Sequence, residues 1–319
     1  MAETKNQTSV LLSVVVPIYN EEMNIRKLYQ RIVDVMQQMG IAYEIVFVND
    51  GSRDASMAMI LGLADENKSV KYIDFSRNFG HQIAITAGIE NAVGERIIIM
   101  DGDGQDPPEL IPALYEKSLE GFEVVYAKRK SRSGETLMKK FTAKIFYRLL
   151  AKMTSVEIPI DTGDFRLIHR KVQRVLKLMP ERDKYLRGQI AWIGFNHVAV
   201  EYDREERMGG ETKFSYSKMM KFAMDGIVSF SNWPLKLATM MGFLVSIVAF
   251  LMILYSIYEK FFGYTIQGWT SLQISILFLG GVQLVGIGML GEYLGRVSEN
   301  VKNRPTYIIR ESNIEDPLG

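Results

Sequence analysis

Two apolar runs in the last third of the chain limit its fold more than any other feature. From Leu235 to Tyr258 the one charge is Lys236 at the edge, and from Ser271 to Leu290 there is none. A helix crosses a bilayer with about 20 apolar residues, and these runs hold roughly 24 and 20. A core helix of a soluble protein rarely runs this long without charge, so the pattern predicts two spanning helices, about 235–258 and 270–294. The segment between them, Glu259 to Trp269, carries one lysine, whereas Lys213, Lys218, Lys221 and Lys236 flank one end and Arg296, Lys302, Arg304 and Arg310 the other. The positive-inside rule then puts both termini in the cytoplasm and the connecting segment outside. Trp233, Trp269 and Tyr293 fall where interfacial aromatic anchors belong. Leu11 to Ile18 is too short for a secretory signal, contains Pro17, and is followed by Glu21 and Glu22 instead of a small-residue cleavage site. The large N-terminal part is therefore expected on the cytoplasmic side of a multi-pass protein of the inner (plasma) membrane.

Ahead of these runs the chain alternates between two periodicities. Leu12–Ile18, Tyr43–Val48, Val70–Phe75, Arg96–Met100 and Glu123–Tyr126 are short β-branched or aromatic runs, and helical spacing links them over Asn24–Met39, Ala55–Glu66, Gln82–Ala92 and Glu109–Leu119. Such alternation predicts an α/β domain with a mostly parallel sheet and helices on both faces. Ligands of these sheets bind at the carboxyl ends of the strands. Polar clusters stand there: Tyr19-Asn20-Glu21, Asn49-Asp50-Gly51-Ser52, Ser76-Arg77-Asn78, and the run Asp101 to Asp106.

That last run places Asp101 and Asp103 one residue apart beyond an apolar strand. If the backbone stayed extended the two carboxylates would share a face, and Gly102 and Gly104 would let a ligand approach the main chain. Oxygen donors suit hard cations such as Mg²⁺ or Mn²⁺, which bind through one or two carboxylates plus substrate phosphates. The plainer alternative is an acidic turn that ends a strand and caps a helix starting at Pro107 or Pro108.

Other classes are disfavoured. There is no Gly-x-Gly-x-x-Gly after the first strand and no phosphate loop ending in Gly-Lys-Ser/Thr. A net charge of +1 with 24% charged residues argues against a nucleic-acid binder. With no cysteine at all, disulfides and thiolate metal sites are impossible. His81, His169 and His197 are too few and too scattered for a histidine metal site and are expected to be ordinary. Between Thr136 and Met153, Lys140, Lys144, Arg148 and Lys152 recur every fourth residue beside Leu137, Phe141, Ile145, Leu149 and Met153. This basic amphipathic helix suits an anionic membrane surface, or else an ordinary solvated face over a core.

The motifs Val16-Pro17-Ile18-Tyr19-Asn20-Glu21, Asn49-Asp50-Gly51-Ser52, Arg77-Asn78-Phe79-Gly80-His81, Asp101 to Pro108, Asp161-Thr162-Gly163-Asp164-Phe165-Arg166 and Arg207 to Phe214 occur together and in this order. With the paired spans they resemble family 2 glycosyltransferases of the GT-A fold, specifically polyprenyl-phosphate glycosyltransferases similar to bactoprenol glucosyltransferase and dolichyl-phosphate mannose synthase. The resemblance implies a GT-A domain over 1–214 that contains the basic helix at about 136–153. A juxtamembrane interfacial helix over 215–232, two spans within 233–295 and a cytoplasmic tail over 296–319 follow it.

Residue by residue, the resemblance implies that Pro17, Tyr19, Glu21 and Asp50 hold the nucleotide base and ribose. Asp101 and Asp103, with Gln105 close by, take the metal and the diphosphate. Asp164 stands where a catalytic base is assigned, Arg207 and Lys213 grip phosphate, and Arg129 lies beside the acceptor. The family often has Asp where this chain has Asn49 and Ala where it has Gly102, and neither change removes a needed carboxylate. The implied reaction moves a hexose from a nucleotide donor to a polyprenyl phosphate such as undecaprenyl phosphate, with inversion. UDP-glucose is the favoured donor, with GDP-mannose and a UDP-amino-arabinose as alternatives. No Gln-x-x-Arg-Trp motif of processive synthases is present. A plainer reading of Asp164 is an ion pair with Arg166. A phosphate monoester is already largely ionised near neutral pH, so Asp164 could orient the acceptor instead of deprotonating it. Non-catalytic alternatives are a membrane-tethered nucleotide-sugar binder and a two-helix scaffold. Expected partners are the donor, the lipid phosphate and the bilayer, with no nucleic acid. A second copy packed through the glycines of the second span and a downstream flippase are also compatible.

Overall fold

The computed structural model describes residues 10–129, 162–182, 184–202 and 268–314, with scattered positions between 240 and 258. The chain opens with four strands alternating with helices: β1 (Leu12–Ile18), α1 (Ile25–Met39), β2 (Tyr43–Asn49), α2 (Ser56–Glu66), β3 (Val70–Phe75), α3 (His81–Asn91) and β4 (Arg96–Ile99). A 3₁₀ turn over Pro108–Leu110 leads into α4 (Ile111–Leu119), and β5 (Val124–Arg129) follows. Beyond it come β6 (Thr162–His169), α5 (Arg170–Lys177), α6 (Leu186–Ile193), β7 (His197–Tyr202), the long α7 (Trp269–Val301) and β8 (Ile309–Ser312).

The eight strands form one sheet in the order β7-β5-β6-β4-β1-β2-β3-β8. β1 pairs in parallel with β2 and β4, β2 with β3, and β5 with β7, whereas β6 runs antiparallel between β4 and β5, and β8 runs antiparallel along β3. The predicted mostly parallel sheet is therefore present, with reversed strands at two places the sequence pattern did not mark.

Strand alternation sorts the core into two layers. Val14, Val16, Ile18, Ile45 and Phe47 pack with Ile25, Leu28 and Ile32 of α1, Ile60 of α2 and Leu114 of α4. Val15, Val46, Val48 and Ile99 face the other way, onto Ala84, Ile85 and Ile89 of α3, Val172 and Leu176 of α5, and Leu186 and Ile190 of α6. Because both faces of the central strands are buried, they read as continuous apolar runs.

Grouped by contacts, the sheet, its helices and the C-terminal strand make one compact unit, and the long apolar helix belongs to a second. Among the described residues one helix is long and apolar enough to cross a membrane, with its apolar window over Phe278–Val301 and none of that window buried. It continues past the predicted end of the second span, near 294, to Val301. Leu284, Ile287, Leu290 and Leu294 on it are exposed. The first predicted span lies largely outside the described residues, and its described positions from Met240 to Tyr258 are helical. The basic helix at 136–153 and the interfacial helix at 215–232 also lie outside the described residues.

Candidate active site

The carboxyl ends of β1, β2, β3 and β4 lie side by side, since Ile18 is level with Asn49, Asn49 with Asp74, and Val15 with Ile99. The reversed strand β6 enters beside β4 with Arg166 level with Ile99, which brings its first residues, Gly163 and Asp164, to the same edge. Pro17 is buried in β1, Tyr19 is exposed just beyond it, and Glu21 accepts a hydrogen bond from Asn24 Nδ2 at 2.7 Å.

The loops after β1, β2 and β3 are tied to one another. Ser52 Oγ accepts from the Asn20 amide at 3.0 Å, and Asn20 Oδ1 accepts from the Arg53 amide at 2.8 Å. The buried Asp50 carboxylate accepts from the amides of Phe79 at 2.7 Å and Gly80 at 3.0 Å, and the Asp50 carbonyl accepts from Asn78 Nδ2. Burial pushes the Asp50 pKa up, against the pull of those amides. Gly51, at φ 66°, makes this crossing sterically feasible: a Cβ there would stand 2.5 Å from the Arg77 carbonyl carbon.

The run Asp101 to Asp106 does not continue the strand. β4 ends at Ile99 and the chain turns, with Gly104 at φ 74°, so Asp101 and Asp103 do not share an extended face as the sequence suggested. Asp103 Oδ1 accepts from the Gln105 amide at 3.1 Å. Asp106 is the buried clasp of the turn: Oδ2 accepts from the Asp101 amide and Oδ1 from the Tyr202 hydroxyl on β7. Gly102 is placed by packing, since a Cβ there would lie 2.8 Å from the Pro17 carbonyl oxygen and 2.6 Å from Ile18 Cδ1.

Asp101 instead faces His81 and Asp164. His81 Nε2 sits 3.3 Å from Asp101 Oδ1 and 3.4 Å from Asp164 Oδ2. Burial would lower the imidazole pKa, but the two carboxylates outweigh it and raise it to about 10. The histidine expected to be ordinary is thus a cation bridging two acids. Asp164 Oδ1 accepts from Arg187 Nε at 2.8 Å and Oδ2 from Gln82 Nε2 at 3.1 Å. Gln82 Oε1 in turn accepts from the Leu186 amide, so one side chain joins α3, α6 and β6. Burial would raise the Asp164 pKa, yet the Arg187 charge and His81 hold it well below the usual carboxylate range. The pairing with Arg166 suggested by the sequence is secondary. Arg166 Nη2 is 3.9 Å from Asp164 Oδ1 and mainly holds the Gly163 carbonyl, at 2.8 Å. Burial lowers the Arg166 pKa to about 10, which leaves it charged at neutral pH.

Two carboxylates that lift an imidazole this far form a pocket that attracts cations. Asp101 Oδ1 is shut off from solvent without a well-formed hydrogen bond, and it lies with donor atoms of His81 and Asp164 inside a 4.8 Å group. Oxygen donors of this kind fit Mg²⁺ or Mn²⁺. Among the described residues this group unites Asp101 with Asp164 and His81, and Asp103 stands outside it. Arg129 ends β5, level with Tyr202 of β7. Arg207 and Lys213 lie outside the described residues. Sequence reasoning missed Gln82, Arg187 and the role of His81. His81 could have been found, since it follows a loop already marked as ligand-facing and opens α3, whereas nothing local distinguishes Arg187.

An α/β sheet whose strand ends gather carboxylates, with a reversed strand delivering one more, defines a domain of the GT-A class. The chain belongs to glycosyl transferase family 2, which it matches over residues 13–176. It is 51% identical over 301 residues to the uncharacterized glycosyltransferase YkcC of Bacillus subtilis (strain 168), covering 94% of this chain and 93% of that one. It is 43% identical over 307 residues to the bactoprenol glucosyl transferase of Shigella phage SfII, covering 96% and 99%. A prophage bactoprenol glucosyl transferase homolog of Escherichia coli (strain K12) is 44% identical over 300 residues, covering 94% and 98%.

Proposed function

We propose that this protein transfers glucose from UDP-glucose to a polyprenyl phosphate at the cytoplasmic face of the membrane, with inversion at the anomeric carbon. The observation that carries this reading is similarity to a bactoprenol glucosyl transferase along 96% of the chain, so that sheet domain, apolar helix and tail are matched together.

In this reading Pro17, Tyr19, Glu21 and the Asp50 loop hold the nucleoside, and Asp101, Asp103 and Gln105 face the diphosphate. A divalent cation held at the Asp101 carboxylate, in the group it forms with Asp164 and His81, would neutralise charge on the departing nucleoside diphosphate. Arg207 and Lys213 add fixed positive charge, with Arg suited to bidentate phosphate contact. Arg129, at the end of β5, stands on the acceptor side. Attack from the face opposite the leaving group inverts the sugar.

Asp164 is a poor proton acceptor when Arg187 and His81 hold its pKa so low, because a general base works best with a pKa near the operating pH. The acceptor needs none, since the second pKa of a phosphate monoester is about 6. Asp164 instead fixes His81, Gln82 and Arg187 around the reacting end, and the His81 and Arg187 charges steer the incoming phosphate.

The return of the chain to the sheet supports the membrane reading. β7 leaves the sheet at Tyr202 and β8 rejoins it at Ile309. Strands of one sheet lie on one side of a membrane, so an even number of crossings must separate them. A single crossing by α7 would strand β8 on the far side. If α7 crosses the membrane, the first apolar run must cross as well, which keeps β8 and the rest of the sheet on one face.

The test is transfer of radiolabelled sugar from UDP-glucose, GDP-mannose and a UDP-amino-arabinose to undecaprenyl phosphate by the full-length protein, with and without EDTA. EDTA-sensitive label in extractable lipid from UDP-glucose is expected. Label from another donor alone would change the sugar, and none from any donor would leave a nucleotide-sugar binder.

A further inference from the structure

The chain after the long helix is bound into the sheet beside the loops assigned above to the nucleoside. β8 covers the open edge of β3, which would otherwise expose unpaired backbone groups. Tyr307 stacks on Phe75 with ring centroids 5.2 Å apart and donates to Glu90 at 2.7 Å. The Ser76 amide donates to the Ile308 carbonyl. At the far end Asn313 stands in for backbone, accepting from the Tyr72 amide and donating to the Val70 carbonyl.

The pairing is irregular at one point. Asp74 is level with Glu311 and Phe75 with Ile309, so Arg310 is the extra residue of a bulge. Bulges re-aim side chains, and this one sends the guanidinium across the edge. Arg310 Nη1 lies 3.3 Å from Asp74 Oδ2, and Nη2 donates to the Ser76 carbonyl at 2.8 Å. Asp74 is buried, and its other oxygen accepts from Asn49 Nδ2 at 2.7 Å. Asn49 Oδ1 accepts from the Ser52 amide, and Ser52 Oγ from the Asn20 amide. A continuous line of bonds therefore runs from the tail through Asp74 and Asn49 to the loops after β2 and β1. A second contact, on Ser76, meets the start of the loop whose Phe79 and Gly80 amides hold Asp50.

We propose that Arg310 is a positioning residue of the donor site: it compensates the Asp74 charge and so holds Asn49 and the loops at Asn20, Asp50 and Ser76 in their nucleotide-binding arrangement. The proposal rests on the reading that these loops hold the nucleoside. It makes the segment after the spanning helix a determinant of donor affinity, while the acceptor side at β5 and β6 is untouched. Arg310 reaches from an exposed position, so its replacement should leave the fold intact.

The experiment uses full-length protein in detergent with Mg²⁺, titrated with UDP by calorimetry and assayed for the KM of donor and of undecaprenyl phosphate. Arg310→Ala should weaken UDP binding and raise the donor KM by about tenfold, the loss of roughly one charge-assisted hydrogen bond. The acceptor KM should stay as in the wild type. Arg310→Lys, which keeps the charge, should recover much of the affinity. Asn313→Ala, which loosens the same strand away from Asp74, should lower the melting temperature and leave UDP affinity unchanged. UDP affinity unaltered in Arg310→Ala, or weakened equally in Asn313→Ala, would overturn the proposal and reduce β8 to an edge cover. Failure of the wild type to bind UDP would instead remove the underlying reading that these loops hold the nucleoside of a UDP-sugar.

Discussion

The two sides of the sheet are built on different rules. β1 to β4 lie in the order β4-β1-β2-β3, all parallel, each joined to the next through one helix. The β7-β5-β6 side meets the other through a reversed strand, β6, which pairs with β4 and β5 from far along the chain. The parallel side supplies Tyr19, Asp50 and Asp101, and the other supplies Asp164, with Arg187 following it on α6. Local connection builds the loops proposed to hold the donor, and distant pairing completes the cluster by setting Asp164 and Arg187 against His81 and Asp101. Each side alone has charges that need the other.

The comparison breaks most sharply at Asp164. Asp164→Asn should cost about 10²–10³-fold in kcat, the range for losing one preorganised electrostatic group, with the same loss at every pH from about 6.5 to 9, because a second phosphate pKa of about 6 leaves the acceptor ionised throughout. A pH–rate series reads this, and recovery at high pH would restore the proton-removal role. Next comes Arg187→Met, which leaves Asp164 buried without its main partner. Breaking such a pair costs about 3–5 kcal/mol, less here because Arg187 is partly exposed. The sign follows from the lowered Asp164 pKa: its stabilisation is present above pH 3.8 and is lost as pH falls through the folded value. The variant should melt earlier at neutral pH and lose less on acidification than the wild type.

His81→Gln is expected to act more gently. An imidazole raised from 6.5 to about 10 on folding stabilises fully below about pH 6.5 and loses that contribution as pH rises through 10. In EDTA, the melting temperature of the wild type should decline across that window, and that of His81→Gln should decline less. Smallest is Gly102→Ala, where a methyl crowds Pro17 and Ile18. Overpacking typically costs about 1–3 kcal/mol, read by melting, with some loss of donor affinity because the Asp101 turn shifts.

The same contrast explains what the sequence discloses. The elements from β1 to α4 are legible nearly to the residue, because each buried strand is a short apolar run and each helix follows directly. Asp101, Asp50 and Asp164 are legible as motif members. β6 is harder to read as a strand, since Asp164 and Arg166 interrupt it and only the long-range pairing buries them. β8 has four residues, two of them charged, and three lie exposed. Its stability comes from the β3 edge and from Tyr307 and Asn313 outside it, which no local pattern records. Arg187 gains meaning only when α6 is folded against β6. The turn at Asp101 is hidden for a related reason: alternation assumes extended backbone, whereas Asp106 and Tyr202 clasp a turn.

The central claim is that Asp101 from one side and Asp164 from the other act as a single catalytic unit. It is tested most directly by comparing Asp101→Asn, Asp164→Asn and the double variant for sugar transfer to undecaprenyl phosphate at saturating donor and Mg²⁺. If the two act together, the double variant should fall within about threefold of the worse single variant, because groups that work as a unit are strongly non-additive. Losses that multiply, about 10⁴-fold from two losses of about 10²-fold, would show independent roles and contradict the account.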